Sequence, residues 1–432
     1  MIIWFQFEAK LDINIKNQNR IAHFLNSCAI LLSFLYLCRI KQASFVNAFR
    51  QNIISLYLVK ISKWFTLIMP IIVLFYEENG PGLKEILLLK SVYSIVSVSL
   101  DIPTGYLADA WGRRNCLISG CLIAFGGFVC YSFSDTFYAF LLAEILLGTG
   151  QSLVSGADSA LLYDTMIKYN REDEYLKYEG KVPMVGNFSE AFAGICGGLL
   201  ATSSLRLPFY CQVGVAFIGI PAALFLREFH ARKHIENPIR NIGAIIRYSL
   251  ITNKSLCYNI IFSGIIGTAT LTMAWFVQPV LIHIALPTAW FGIVWTILNL
   301  TVGIAALYSD ALNARLGENK TYIFILLFIV GGYLSVAYSL NYFSLFLLFI
   351  FYIVRGFATP ILKGYINRQT FSEMRATVLS IRNFIIRLIF AVMAPFIGWL
   401  NDAFSLAFAL QIAALIIFMP GLLFLLLQWK KE

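Results

Sequence analysis

Twelve runs of about twenty mostly apolar residues follow one another from Asn52 to the end of the chain, and a helix needs that length of apolar sequence to cross a bilayer. The runs cover approximately 52–76, 86–107, 116–134, 137–163, 182–203, 207–227, 257–284, 289–310, 321–339, 342–364, 376–400 and 403–428. Such a series leaves little choice of fold class: an all-α membrane protein of twelve transmembrane helices. Composition agrees. Of 432 residues 59% are hydrophobic and 13% charged, against about 45–50% and about 25% in soluble domains. A soluble enzyme and a disordered chain are both excluded on that balance.

The exception to the short connections is residues 228–256, polar and basic, between the sixth and seventh runs. It divides the array into an N-terminal six-helix half (51–227) and a C-terminal six-helix half (257–432). Within this linker Ile239, Ile242, Ile245 and Ile246 recur at helical spacing beside Arg240 and Arg247, the pattern of an amphipathic surface helix. Residues 1–50 form an N-terminal extension. Its apolar stretch from Ile21 to Leu37 is a candidate extra membrane or interfacial helix, and no small-x-small cleavage site follows it cleanly.

Lys and Arg total 33 against 23 Asp and Glu, a net charge of +10. The excess falls on alternate loops. Arg113, Arg114, Lys168, Arg171, Arg227, Arg315, Lys320 and Arg368 lie on one side, and little beyond Lys84 and Arg206 lies on the other. Basic loops stay cytoplasmic, so both ends of the twelve-span unit are expected inside, with the protein in the cytoplasmic membrane. The basic residues are spaced between apolar runs and form no stripe of the kind nucleic acid binds.

The eight cysteines are scattered through apolar runs with no C-x-x-C pair and read as small core hydrophobes. His230 and His234, with Glu236 nearby, lie in the linker. No second cluster supports them as zinc ligands, so no metal and no cofactor is expected. Neither a phosphate-binding Walker loop nor a G-x-S-x-G elbow occurs. The chain therefore does not read as an enzyme.

The loop after the second span runs Asp101-Ile-Pro-Thr-Gly105-Tyr-Leu-Ala-Asp109-Ala-Trp-Gly112-Arg113-Arg114. It resembles the signature loop G-x-x-x-D-x-x-G-R-[KR] of the major facilitator superfamily in residues, spacing and place along the chain. The resemblance implies the twelve-helix facilitator fold and a role for Asp101, Gly105, Asp109, Gly112, Arg113 and Arg114 as a latch between conformations. Asp310, Arg315, Gly317 and Lys320, between spans eight and nine, read as a degenerate copy. Span four carries Glu144-x-x-x-Gly148-x-Gly150 where that family commonly has R-x-x-x-G-x-G, so a carboxylate stands in the Arg position. The string around Ser155 to Asp164 is similar to bacterial facilitator permeases of undefined substrate. Gly186, Gly194, Gly197 and Gly198 make span five glycine-rich, as in the superfamily's drug antiporters, but the G-P pair of those antiporters is missing.

Charges at bilayer depth are costly and need a reason. Lys60, Lys63, Arg355, Arg382 and Arg387 face Glu144, Asp158 and Glu190, a deep excess of two positive charges. In the resembled fold spans one, four, seven and ten line the central cavity. Lys60, Lys63, Trp64, Glu144, Gln278 and Arg355 are therefore substrate-binding candidates, and Glu144, Glu190 and Asp158 are proton-coupling candidates. Tyr57, Trp275 and Phe276 are further candidates for the cavity wall. A pairing of Glu190 with Arg387 would be purely structural. Lys363 and Asp164, near helix ends, are expected to reach the interface. Pro70, Pro183, Pro279, Pro360 and Pro395 offer hinge points.

These readings point to a secondary active transporter working by alternating access as a monomer, with a small-molecule substrate, protons and the lipid bilayer as partners. Export of drugs or of amphipathic or anionic compounds is one direction. Uptake of an organic anion or nutrient is the alternative, and a facilitator-fold sensor without transport is a second.

Overall fold

The computed structural model describes residues 48–228, 238–371 and 374–429. The candidate extra helix at 21–37 and the His230, His234 and Glu236 group lie outside the described residues. The described chain is helical: α1 Ala48–Trp64, α2 Ile72–Glu78, α3 Leu83–Trp111, α4 Arg113–Phe133, α5 Phe137–Lys168, α6 Tyr175–Ala201, α7 Leu207–Leu224, α8 Pro238–Arg247, α9 Lys254–His283, α10 Ala289–Leu307, α11 Ser309–Tyr338, α12 Ser344–Arg368, α13 Arg375–Ala403 and α14 Leu406–Trp429.

Among the described residues ten helices are long and apolar enough to cross a membrane, and α3 makes eleven as a bent pair. Broken span one, α1 with α2, completes the twelve-span array. Spans two to six are α3 to α7, and spans seven to twelve are α9 to α14. Within the first half α5 packs on α3 and α4, and α4 packs on α7. In the second half α12 packs on α10 and α11, and α11 packs on α14. Across the seam α3 meets α13 and α6 meets α10.

Span one departs from its sequence pattern. The apolar run 52–76 reads as continuous, yet the helix stops at Trp64 and restarts at Ile72. A break inside a membrane frees backbone groups that lipid cannot satisfy, and two glutamines satisfy them here. Gln212 of α7 accepts from Leu67 N at 2.7 Å. Gln278 of α9 accepts from Val73 N at 2.8 Å and donates to the Met69 carbonyl at 2.8 Å. Gly197 of α6 lets the break approach: a Cβ there would stand 1.9 Å from the Leu67 carbonyl oxygen. Beyond the break, α2 is pinned by an aromatic cluster of Phe75, Tyr76, Tyr131, Phe140 and Phe209, all fully buried. Span two bends by 48° between Leu83–Asp101 and Pro103–Trp111, because Pro103 lacks the N–H that would continue the ladder.

The signature loop turns at Gly112, whose φ of 109° favours glycine. The degenerate copy turns at Gly317, φ 72°. The two glycines stand at matching places, one opening span three and the other opening 318–338. The linker helix is present as α8, followed by a π turn at Tyr248–Thr252. Ile245 packs on the cluster of Leu256, Ile260, Ile366 and Val378, which seats α8 on the second half.

The two halves touch at one end. Asp402, at the end of α13, accepts from Leu83 N at 3.2 Å and Lys84 N at 2.8 Å, capping α3. Thr296 of α10 donates to the Ala191 carbonyl of α6 at 2.9 Å. Gly292 and Gly194 are in backbone contact, and Gly398 lies against Leu83 and Lys84. The hydrogen bonds that join the halves at Asp402, Thr296 and Gln278 lie in this region or at the span-one break.

Candidate functional site

A cavity of about 280 Å³ lies against the first half, walled by spans one to six and by Trp275 of span seven. Its lining is largely apolar and aromatic, with Trp64, Tyr93, Phe128, Tyr131 and Trp275 around it. Four charged side chains reach it: Lys63, Lys90, Glu144 and Glu190. Lys63, Trp64, Glu144, Glu190 and Trp275 were legible as candidates in the sequence. Lys90 and Tyr93 were not.

Lys90 is the central omission. It sits on α3 one turn beyond Ile86, and its ammonium closes an ion pair with Glu144 of α5. The side chains are 7% and 2% exposed. Tyr131 donates to the same carboxylate. Tyr76 also donates to it, at 3.0 Å, with the two phenol oxygens side by side. Three rings surround the ammonium: Tyr76 at 5.2 Å, Tyr131 at 5.6 Å and Trp275 at 5.1 Å from their centroids. Trp275 comes from the second half, so this network touches both halves. A buried carboxylate requires a counter-charge and hydrogen bonds, and Glu144 has both. The sequence signal that could have found Lys90 is its place as the single cation inside the run 86–107.

Lys63 is different. It faces Asp158, Lys60 and Asp101, but the nearest carboxylate is taken. Asp158 pairs with Lys60 at 3.0 Å. Among the described residues Lys63 closes no ion pair of its own, and its ammonium is left to the cavity. Lys60 and Asp158 are thus placed together in the wall of the first half, outside the cavity lining.

Glu190 faces Arg355 of α12, with Trp295 of α10 beside it. The pairing with Arg387 is not formed, and Arg387 lies instead on the side of Tyr93. Arg355 itself is outside the cavity lining, so span ten does not contribute to the wall as the four-span expectation had it. Gln278 spends both ends of its amide on the span-one break and offers no free group to a solute. Phe276 is buried in the core, and Tyr57 donates to the Tyr178 carbonyl at 3.1 Å, away from the cavity. Arg382 is buried against Ser263 and Asn383, and among the described residues it closes no ion pair.

The signature loop is wired into its own half. Arg113 pairs with Asp164 of α5, donates to the Ala160 carbonyl at 2.6 Å, and lies 3.5 Å from Asp109. Asp164 is therefore buried in an ion pair and does not reach the interface. The Arg113 backbone N–H donates to Glu228 at 2.6 Å, so the glutamate after span six caps span three. Arg114 donates to the Leu224 carbonyl at 2.9 Å. Asp101 accepts from Ser152 at 3.2 Å and Ser155 at 3.3 Å. Gly105 lies against Gly156. Asp109 is half exposed.

Comparison with known proteins places this geometry among transporters. Residues 58–392 match the family model described as Major Facilitator Superfamily. An uncharacterized MFS-type transporter of Methanocaldococcus jannaschii is 23% identical over 202 residues, 45% of this chain and 50% of that protein. The class H tetracycline resistance protein of Pasteurella multocida is 26% identical over 172 residues, 39% of this chain and 42% of that protein. The matched stretches thus span half or less of these relatives. Among solved structures, the nucleoside transporter NupG superposes with a TM-score of 0.70 at 16% identity, covering 88% of this chain and 98% of that one. A bacterial homolog of the human lysosomal transporter Spinster gives 0.69 at 13%, covering 89% and 96%.

Proposed function

Because the chain belongs to the Major Facilitator Superfamily, we propose that it is a carrier moving a small organic solute across the cytoplasmic membrane by alternating access, driven by protons. The observation that carries this reading is the one-ended closure. The halves are held together at the end opposite the signature loop, beside a cavity lined by the first half and closed by Trp275 of the second. The basic loops assign the signature-loop end to the cytoplasm, so the molecule is read as open inward, with both termini of the twelve-span unit inside. Rocking the halves about the cavity would open the other end.

The cavity suits an organic solute with a polar end. Its aromatic walls provide apolar contact, and Lys63 offers an unpaired cation. Glu144 and Glu190 are the proton-coupling groups of this proposal. Glu144 is the stronger structural hub, because its protonation would release Lys90 from its pair beside Trp275 of the other half. Lys60 and Asp158, paired with each other, serve as a helix-to-helix tie within the first half. The latch residues Asp101, Gly105, Gly112, Arg113 and Arg114 keep the signature loop rigid, and Asp109 is left to engage the other half when that end closes.

Direction is read as export of amphipathic compounds, on the aromatic lining and the likeness to a tetracycline resistance protein. Proteoliposomes with an imposed pH gradient and an internal pH dye test the proposal. Panels of organic anions, zwitterions and cations should reveal a solute that drives proton flux, and Glu144→Gln or Glu190→Gln should abolish it. Unchanged flux in both variants would sink proton coupling. Specific binding with no movement of any solute would favour a sensor.

A further inference from the structure

Among the described residues the first half buries two lysine–carboxylate pairs, and they are built differently. Lys60 and Asp158 meet at 3.0 Å outside the cavity lining. Lys90 and Glu144 meet in the cavity wall, beside Tyr131 and Trp275, which line it too. A tie between helices needs only a counter-charge and hydrogen bonds. The Lys90 ammonium has more. Tyr76, Tyr131 and Trp275 hold it at 5.2, 5.6 and 5.1 Å from their ring centroids, and it donates to the Tyr131 hydroxyl at 3.2 Å. A carboxylate ringed by three aromatic side chains is the construction that recognises an ammonium ligand.

The shape of this cage does not depend on the lysine. Its walls come from α2, α4, α5 and α9, whereas Lys90 comes from α3. Tyr76 packs edge-on against Phe140 with centroids 5.0 Å apart, and Tyr131 stacks on Phe209 at 5.7 Å. Both phenols donate to one oxygen of Glu144. Rings and carboxylate are thus fixed by one another, while the ammonium hangs on a flexible four-carbon stem. The lysine is the part of the assembly that can leave.

The cage stands at one end of the cavity. Tyr131 to Cys121 on α4 and Glu144 to Val154 on α5 all line it, and each stretch spans about 15 Å at ~1.5 Å per residue. Gly127 lies against Leu147 and Gly120 against Val154, so the two helices run side by side along its length. Lys63 belongs to the far end: Ser62, the residue before it, and Cys121 both abut Gly219. At that separation Lys63 does not compete for the cage.

We propose that this cage binds the protonated amine of the transported solute, and that Lys90 occupies it as a tethered stand-in which the solute displaces. The proposal rests on the carrier reading above and names its substrate class as an organic ammonium ion with an apolar body. That body lies along the aromatic and aliphatic wall between the cage and Lys63. Glu190, the other carboxylate of the wall, remains as counter-charge for the displaced lysine. A cation and a proton do not both neutralise Glu144, so each lowers the affinity for the other, and proton-driven export requires that exchange. Tethering gives the Lys90 ammonium a high effective concentration in the cage. A site so occupied binds a free ligand with reduced apparent affinity.

The test measures binding of n-butylammonium, benzylammonium and 2-phenylethylammonium to the purified full chain in detergent. The matched alcohols are the neutral controls. The parent protein should bind the ammonium ions and not the alcohols. Lys90→Ala empties the cage and should bind the same ions tenfold or more tightly, and n-butylammonium, unlike butan-1-ol, should restore its lowered unfolding temperature. Should Lys90→Ala fail to fold, Lys90→Gln removes the charge with less loss of volume and should show the same gain. Trp275→Leu removes one ring and should weaken binding severalfold, and Glu144→Gln should abolish it. A merely structural ion pair predicts no gain of affinity when its lysine is removed. Alcohols binding as well as amines, unchanged affinity in the Lys90 variants, or binding confined to those variants and absent from the parent would overturn the cage. Proton flux driven by an anionic or neutral solute, unaltered by Trp275→Leu and by added 2-phenylethylammonium, would overturn the cage and leave the carrier reading standing. Absence of flux with every class would overturn that reading itself.

Discussion

Replacing Lys90 by Met should damage this protein more than replacing Lys90 and Glu144 together by Met and Leu. The ammonium and carboxylate are 7% and 2% exposed, so water cannot repair the loss of either partner. Removing one partner of such a buried pair costs about 3–5 kcal/mol, because the other charge is left uncompensated. Here the two tyrosine hydroxyls that donate to Glu144 would soften the loss of Lys90. Glu144→Leu strands the ammonium, which then keeps only the Tyr131 hydroxyl at 3.2 Å and its three rings. Removing both charges in favour of apolar groups of similar volume is often neutral or stabilising. The double variant should therefore be more stable than either single one. Thermal unfolding of the four proteins in one detergent, at matched pH, gives the cycle. Single variants as stable as the parent, or a double variant that loses the sum of both effects, would refute the reasoning. The same double variant should retain the fold but lose proton-coupled flux, which separates stability from coupling.

Three further expectations follow from the span-one break and the closed end. Gln278→Leu leaves the Val73 N–H and the Met69 carbonyl unpaired and should cost about 2–6 kcal/mol on the usual penalty of about 1–3 for each stranded group, read as a lower unfolding temperature; an unchanged temperature would count against the clamp. Gly197→Ala should abolish folded expression, since a Cβ would sit 1.9 Å from the Leu67 carbonyl oxygen, whereas Gly214→Ala, with nothing within 4 Å, should express as the parent does. Asp402→Ala removes the cap on α3, worth about 0.5–2 kcal/mol, and only in the conformation closed at that end; the population ratio should shift two- to thirtyfold toward the opposite state, as read by spin-label distances, and no shift would show that the cap does not discriminate between states.

The fold was legible because hydropathy at bilayer length is a strong and local signal. The spans, the linker helix at 238–247 and the turn at Gly112 all follow from runs, periodicity and glycine placement. The second turn at Gly317 was visible only as a weakened copy, since its flanking charges are respaced. The break in span one was hidden because residues 65–71 are themselves apolar, with Pro70 as the sole local mark. Its cause is tertiary: Gly197, Gln212 and Gln278 come from three other helices. For the same reason Gln278 looked like a solute ligand, a polar group at depth on span seven, when its partner is backbone.

At the site, sequence found which charges are deep but not which ones pair. Glu144 and Lys63 were named, yet Lys90, near the end of its span, was passed over although it neutralises Glu144. Lys60 and Asp158 were separate candidates for solute and proton, and they satisfy each other at 3.0 Å. Pairing depends on helix rotation and on the seam between halves, neither of which a single span's pattern encodes.

The central claim is that the two ends of the molecule open alternately. Spin-label distances in proteoliposomes test it, using a variant whose eight cysteines are replaced and two reporter pairs. Lys168→Cys with Arg368→Cys reports on the signature-loop end, and Ser203→Cys with Tyr342→Cys reports on the opposite end. Lowering the pH from 8 to 6, with and without a transported solute, should lengthen one distance while shortening the other. A single unmoved distribution for both pairs, or two distances that lengthen together, would contradict alternating access about this cavity.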